Sequence, residues 1–125
     1  MHRHIIKYAI QEAQKSEFKF RHGCVIFKGS KIISTGYNEV RYCKRLDYRY
    51  KKWINSLHAE QRTILFTNAN IKRCSILVVR INKNNKLVNS KPCKVCQSLM
   101  QDVGITKIHY SDKDGQIQML EATCH

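Results

Sequence analysis

The sequence is poor in acidic side chains, proline and glycine, and it has no long apolar run. Among its 125 residues there are 9 Asp and Glu, one proline and 5 glycines. Because no Pro- or Gly-rich linker divides the chain, we expect one domain over residues 1–125. The longest apolar runs, 24–27 and 76–79, are far shorter than the roughly 18 residues that a membrane span needs. The first residues contain no apolar signal segment either, so the expected location is intracellular, in the cytoplasm, with no membrane partner.

Basic side chains dominate the charge. Lys and Arg number 23, which gives a formal net charge of +14 with neutral histidines. This excess favours anionic partners, such as nucleotide phosphates, polynucleotides or acidic surfaces. The charge is spread along most of the chain, so it does not choose between a mononucleotide and a polymer. A basic composition without a specific partner also fits.

The spacing of apolar side chains predicts alternating helices and strands. Ile6, Ala9, Ile10 and Ala13 have the helical i, i+3, i+4, i+7 spacing, whereas short β-rich runs flank turn residues elsewhere. The predicted elements are helix 3–16, strands 23–28 and 31–38, helix 58–69, strand 74–81, a polar loop 82–90, helix 92–103, and strands 105–111 and 116–120.

This order predicts an α/β protein. The continuous apolar run at 74–81 is typical of a strand covered on both faces. Between Tyr110 and Ile117 there is room for a hairpin but not for a crossover helix, so the last two strands should be antiparallel. We expect Ile117 and Met119 to face the core. The predicted fold is a three-layer α/β/α sandwich around a mixed sheet of five strands.

Two short motifs carry the chemistry. His58-Ala59-Glu60 opens one predicted helix, and Pro92-Cys93-Lys94-Val95-Cys96 opens the next. Zinc prefers imidazole and thiolate ligands in a tetrahedron, and a catalytic zinc keeps its fourth position for water. One histidine and two cysteines leave that position vacant. The spacing of Cys93 and Cys96 puts both sulfurs on one side of a first helical turn, where the helix dipole stabilises thiolates.

The other cysteines are expected to be ordinary thiols. Six cysteines without a secretion signal favour metal binding or chemistry over disulfides. Cys24 and Cys74 are the nominal candidates for a fourth ligand in a closed structural zinc site, but their strand positions point them toward the core. We therefore expect the open, catalytic type of site.

Together the motifs form the pattern H-x-E…P-C-x-x-C, which is the signature of zinc deaminases. Over nearly its whole length the chain resembles the cytidine and deoxycytidylate deaminase superfamily. The resemblance implies that His58, Cys93 and Cys96 hold Zn²⁺ and that Glu60 carries protons between water, the base and the leaving ammonia. Water would attack C4 of cytosine or C6 of adenine.

The resemblance also implies substrate contacts. The backbone of Ala59 would hydrogen-bond the edge of the base, and Asn38 matches a position that contacts the sugar. For Asn38 a simple role as a strand-ending turn residue is the alternative. His22, at a strand start, is expected to be structural. Because the resembled enzymes are commonly oligomers, we expect a homo-oligomer.

The sequence leaves the substrate open. A histidine as first ligand looks like deoxycytidylate deaminases and nucleic-acid deaminases, and the residues Thr35-Gly36-Tyr37-Asn38 look like the deoxycytidylate group. The short final hairpin looks like the free-nucleoside enzymes. We expect a cytosine nucleoside or nucleotide, with deoxycytidylate favoured. A deaminase of RNA or DNA bases is the alternative. A non-enzymatic zinc module that binds nucleic acid comes third, because a structural site has no use for Glu60.

The segment 39–57 bears on this choice. Its basic side chains are interleaved with tyrosines and a tryptophan. Cations clamp phosphates and aromatic rings stack on bases. The segment is therefore predicted to be a 5′-phosphate clamp, a single-strand track, or a solvated loop whose aromatics pack on the core or on a neighbouring subunit.

Overall fold

The computed structural model describes residues 1–38, 59–65, 67 and 69–121. His58 and the segment 39–57 lie outside the described residues. The described elements, numbered in chain order, are α1 (Arg3–Gln14), β1 (Arg21–Lys28), β2 (Lys31–Tyr37), α2 (Ala59–Leu65), β3 (Ser75–Ile81), β4 (Leu87–Val88), α3 (Lys94–Asp102), β5 (Lys107–Ser111) and β6 (Ile117–Glu121). None of these helices has the length and apolar character that crossing a bilayer requires.

The strands form one mixed sheet in the order β2-β1-β3-β5-β6. β1 is antiparallel to both β2 and β3, while β3 and β5 run parallel. β5 and β6 form the predicted antiparallel hairpin, which Asp112 closes by accepting hydrogen bonds from the backbone N–H groups of Asp114 and Gln116. The predicted α/β fold with a mixed sheet is confirmed.

The described sheet has six strands instead of the predicted five. The additional strand, β4, lies within the predicted loop 82–90 and pairs with the last two residues of β3. The side chain of Asn82 accepts hydrogen bonds from the N–H groups of Asn84 and Lys86, and this turn folds the chain back onto β3. A two-residue strand in polar sequence leaves no periodicity to detect.

Helices cover both faces of the sheet, as the sandwich prediction requires. α1 lies on one face, over an apolar cluster that contains Ile5, Ala9, Ala13, Val25, Phe27, Leu77, Val79 and Ile81. α2 and α3 lie on the other face, over a cluster that includes Cys24, Ile26, Ala59, Ile76, Val78, Cys96, Leu99, Met100 and Ile108. β3 contributes to both clusters, so its continuous apolar sequence reflects burial on two faces.

The start of α3 and the orientation of Met119 also differ from the predictions. Cys93 is the N-cap of α3, with extended dihedral angles (φ −69°, ψ 167°), so the helix begins one residue after it and Pro92 precedes the cap. The expectation that Met119 faces the core is wrong, because its side chain is 48% exposed. Ile117 does pack against the α1 cluster, but α1 lies on β1, β2 and β3, and its cover does not extend to Met119 at the sheet edge.

α1 approaches β1 unusually closely. A Cβ atom on Gly23 would lie 2.0 Å from the carbonyl oxygen of Ala9 and 2.6 Å from the backbone nitrogen of Ala13. Small side chains on the helix and none on the strand permit this contact. It also fixes the start of β1, next to the site described below.

Replacing Gly23 by alanine should therefore destabilise the protein strongly. The added methyl group meets backbone atoms that cannot rotate away, so we expect a loss of at least about 2 kcal/mol in the free energy of unfolding. Urea denaturation measures this loss. The control is Gly29→Asn in the β1–β2 turn, where φ is +61° and nothing lies within 4 Å of the new Cβ. Asparagine tolerates that conformation, so a change within about 0.5 kcal/mol is expected. Equal stability of the two variants would contradict the packing described here.

Candidate functional site

The site begins where α2 packs on β2. Gly36 permits the contact, because a Cβ atom there would lie 2.2 Å from Oγ1 of Thr63. The same Thr63 hydroxyl donates a hydrogen bond of 2.7 Å to the carbonyl oxygen of Ala59. This packing seats the first turn of the helix in the protein, so Ala59 is fully buried and Glu60 is only 4% exposed.

The two thiols lie at the start of α3. Cys93 is exposed and Cys96 is buried. Gln97 fixes the backbone at the start of this helix with two hydrogen bonds. Its backbone N–H donates to the carbonyl of Cys93 (2.9 Å), and its side-chain amide donates to the carbonyl of Pro92 (2.8 Å). The predicted ligands thus sit at a helix start, with Cys93 in the cap position and Cys96 in the first turn.

Glu60, Cys93 and Cys96 come together in the structure. The pKa of the Cys96 thiol is raised far above its usual value, first by a hydrogen bond with Cys93, then by burial, and then by the charge of Glu60, which also hydrogen-bonds it. Burial and the charge of Glu60 raise the pKa of Cys24 as well, while a hydrogen bond with Thr63 partly offsets this. Glu60 is therefore the buried carboxylate that these thiols face.

This donor set fits zinc. Two adjacent thiols are sulfur ligands of the type that zinc binds, and a nearby carboxylate suits a proton carrier. The third predicted ligand, His58, directly precedes Ala59 but lies outside the described residues. Without it, the part of the chain that the structure describes contains no group of three or more side chains that could hold a metal ion. Cys24 and Cys74 are buried in the apolar cluster under α2 and α3, as predicted.

A cavity of about 380 Å³ opens beside these groups. This volume lies within the range of small-molecule sites. Glu60 and Cys93 form part of its wall, and the remaining lining residues are Phe18, Lys19, Phe20, His22, Asn38, Ser90, Lys91 and Pro92. A molecule in the cavity would therefore contact the carboxylate and one of the thiols.

The predicted substrate residue Asn38 lines this cavity, but its side chain is already engaged. Its Oδ1 accepts a hydrogen bond from the N–H of His22 (2.9 Å), and its Nδ2 donates one to the carbonyl of Phe20 (2.8 Å). These bonds fix the amide against β1. One N–H and one lone pair of the amide remain for a ligand. At Ala59, the backbone N–H is at the helix start, where helical geometry provides no intrahelical partner.

Sequence reasoning missed most of the cavity wall. Lys19 and Phe20 come from the aperiodic segment between α1 and β1, and His22, expected to be structural, also lines the cavity. Phe20 is 53% exposed, with Nζ of Lys19 5.7 Å and Cζ of Arg80 4.8 Å from its ring centroid. The one available signal was Lys91, which stands next to Pro92-Cys93 in the sequence.

Comparison with known proteins identifies the family. The profile of the cytidine and deoxycytidylate deaminase zinc-binding region matches residues 1–112. An uncharacterized deaminase in the luxG 3′ region of Aliivibrio fischeri is 31% identical over 91 residues, which are 70% of this chain and 55% of that protein. The chain thus spans about half the length of this curated relative.

Solved structures share the fold. The apo dCMP deaminase of cyanophage S-TIM5 has a TM-score of 0.59 and 16% identity, with 90% of this chain and 86% of that chain covered. The cytidine deaminase of Mycobacterium leprae has a TM-score of 0.61 and 19% identity, with 93% and 90% covered. The same cyanophage enzyme in complex with dCMP and dUMP has a TM-score of 0.56 and 15% identity, with 90% and 85% covered. By the profile match over most of its length, the chain belongs to the cytidine and deoxycytidylate deaminase family.

Proposed function

We propose that the protein is a zinc-dependent hydrolase that deaminates a cytosine nucleoside or nucleotide, with deoxycytidylate favoured, to the uracil product and ammonia. The observation that carries this proposal is the contact between Glu60 and Cys96 beside Cys93, at the wall of a cavity of about 380 Å³. A small molecule in this cavity would contact Glu60, which we assign to proton transfer, and Cys93, one of the two thiols that we assign to zinc. Family membership and the fold shared with dCMP and cytidine deaminases add support.

Cys93, Cys96 and His58 are the residues that would hold the zinc ion. When bound, zinc supplies Lewis-acid activation of water near neutral pH. In the reaction a C4–O bond forms and the C4–N bond breaks. An oxygen of Glu60 accepts a proton from the attacking water and delivers it to ring atom N3. A second proton goes through the same carboxylate to the departing amine.

The remaining contacts orient the base. The backbone N–H of Ala59 would donate to an acceptor on the base edge, and the free positions on the fixed amide of Asn38 would bind the sugar hydroxyl. Hydrogen bonds with His22 and Phe20 already fix the Asn38 amide, so substrate binding would cost little side-chain entropy at Asn38.

Two lysines favour a phosphorylated substrate. Lys19 and Lys91 both line the cavity, and Glu60 is the one carboxylate among the lining residues. Neither lysine makes an ion pair with a carboxylate of the described residues. With Glu60 assigned to the proton transfers, these ammonium groups would be available for the 5′-phosphate of a nucleotide.

A polymer substrate is the second candidate. The exposed ring of Phe20 lines the cavity and has the cations of Lys19 and Arg80 near it, and the whole chain carries a net charge of +14. Aromatic rings flanked by cations bind single-stranded nucleic acid by stacking and by phosphate contacts. The substrate comparison below separates the two candidates.

Replacing Glu60 by alanine should abolish turnover and leave zinc bound. Loss of a general acid–base group typically lowers the rate by about 10²–10⁴-fold. Ammonia release measures the rate, and elemental analysis measures the zinc content. The control is Glu121→Gln at the exposed end of β6, which should retain full activity. Turnover that survives in the Glu60 variant would contradict the proton-transfer role, and a wild-type protein without zinc would contradict the metal assignment.

The lysines should select for the phosphate. We expect wild-type protein to process deoxycytidine monophosphate with a higher kcat/KM than deoxycytidine. Lys19→Gln and Lys91→Gln should each lower kcat/KM for the monophosphate by roughly 10-fold, since a charge-assisted hydrogen bond is lost, and should leave deoxycytidine unchanged. Lys28→Gln, on the exposed end of β1, is the matched control.

The same assay should include cytidine, cytidine monophosphate, single-stranded oligonucleotides and tRNA. Equal turnover of nucleoside and nucleotide would contradict the phosphate preference. Exclusive activity on the polymers, with binding that weakens steeply as salt is added, would establish the second candidate instead.

A further inference from the structure

The sheet forks at the carboxyl end of β3. β5 pairs with β3 from Ser75 to Val78, whereas β4 pairs with Arg80 and Ile81. β4 therefore takes the place of β5 beside the last residues of β3. After β4 the chain runs directly to Pro92 and Cys93. Ligand sites of α/β sheets commonly lie at such carboxyl-end openings between strands.

Two serine hydroxyls fill this fork. Ser90 and Ser111 are 4% and 0% exposed, and their Oγ atoms lie 2.8 Å apart. The N–H of Ser90 donates to the carbonyl of Ser111 (2.8 Å), and the N–H of Ser111 donates to Oγ of Ser90 (2.9 Å). The pair thus joins the end of β5 to the segment that follows β4.

The same hydroxyls bind the two strands that diverge. Oγ of Ser111 donates to the carbonyl of Val88 in β4 (2.6 Å), and Oγ of Ser90 lies 2.8 Å from the carbonyl of Val78 in β3. Removing Oγ of Ser90 would leave the buried N–H of Ser111 without its acceptor, and removing Oγ of Ser111 would release Val88. Both losses are costly in a buried place, so the two side chains act as one unit.

This unit lies close to the predicted metal ligand. Ser90 precedes Cys93 by three residues, and both line the cavity. Cys93 is the N-cap residue of α3, so the position of its sulfur depends on the backbone on either side, in addition to its hydrogen bond with Cys96. Gln97 holds that backbone from the helix side, at Pro92 and Cys93. Ser90 and Ser111 hold it from the sheet side.

We propose that the Ser90–Ser111 pair is a positioning device for the thiol of Cys93, which it keeps beside Cys96 and Glu60. The inference rests on the proposed role of Cys93 and Cys96 as zinc ligands. Hydrogen-bonded groups behind metal ligands commonly change metal affinity by about 10–100-fold. Here the connection runs through the backbone of the short turn that carries the ligand.

The test measures zinc release from the purified holoprotein into a chromogenic chelator. Ser90→Ala and Ser111→Ala should each release zinc about 10–100-fold faster than the wild type. The double variant should release it no faster than the faster single variant, because either change breaks the same unit. Thermal melting of each variant reports stability separately from metal retention.

Thr106→Val is the matched control. The hydroxyl of Thr106, just before β5, donates to the carbonyl of Cys74, just before β3 (3.3 Å), so it also links these two strands, but at the opposite end from Cys93. This variant should lower the melting temperature and leave zinc release unchanged. Faster release in both serine variants together with normal release in Thr106→Val supports the proposal.

Three results would overturn the proposal. They are zinc release at the wild-type rate in the folded serine variants, equally fast release in Thr106→Val, and failure of both serine variants to fold, which would make the pair a folding element. A wild-type protein that binds no zinc would instead contradict the proposed function. The failure of this inference and the failure of the proposed function are therefore distinguishable.

Discussion

The contact of Cys96 with Glu60 and with Cys93 is the interaction on which the proposed site depends. The pKa of the Cys96 thiol is raised by its hydrogen bond with Cys93, by burial and by the charge of Glu60, and all three oppose its ionisation. A divalent cation among such groups offsets the negative charges and stabilises the thiolates. The arrangement is therefore well suited to the zinc ion that we propose. Its geometry depends on packing that holds the starts of α2 and α3 in place.

The sheet provides that packing. β3 is buried on both faces, so α1 on one side and α2 and α3 on the other are all fixed against the same strand. Two glycines permit the short distances between helices and strands: at Gly23 α1 approaches β1, and at Gly36 α2 approaches β2. At the carboxyl end of β3 the sheet forks, and the buried hydroxyls of Ser90 and Ser111 join the branches. The thiols lie just beyond this junction.

Most of the fold and the grouping of the candidate site residues could be predicted from the sequence, because packing and the proposed chemistry restrict them to a few residue types at fixed spacings. The two-faced strand β3, the final hairpin, and the grouping of Glu60 with Cys93 and Cys96 are of this kind. β4 could not be predicted, because two residues make no periodic pattern. Nor could the pairing of Ser90 with Ser111, since serines distant in the sequence meet only after the sheet has formed. Oligomeric state and the extent of the domain stay predictions.

The type of reaction can be predicted from short sequence motifs, whereas the choice of substrate cannot. Water activation and proton transfer need the groups carried by two compact motifs, so a short stretch of sequence suffices to indicate a deaminase. We propose that substrate choice depends on other residues of the cavity wall, where Lys19 and Phe20 come from the segment before β1 and Lys91 from the turn before α3. In the proposed reaction none of these side chains takes part in the chemical step. Charge and stacking in this part of the cavity wall can therefore differ between relatives that share the two motifs. Substrate preference has to be established from the cavity wall of each chain separately.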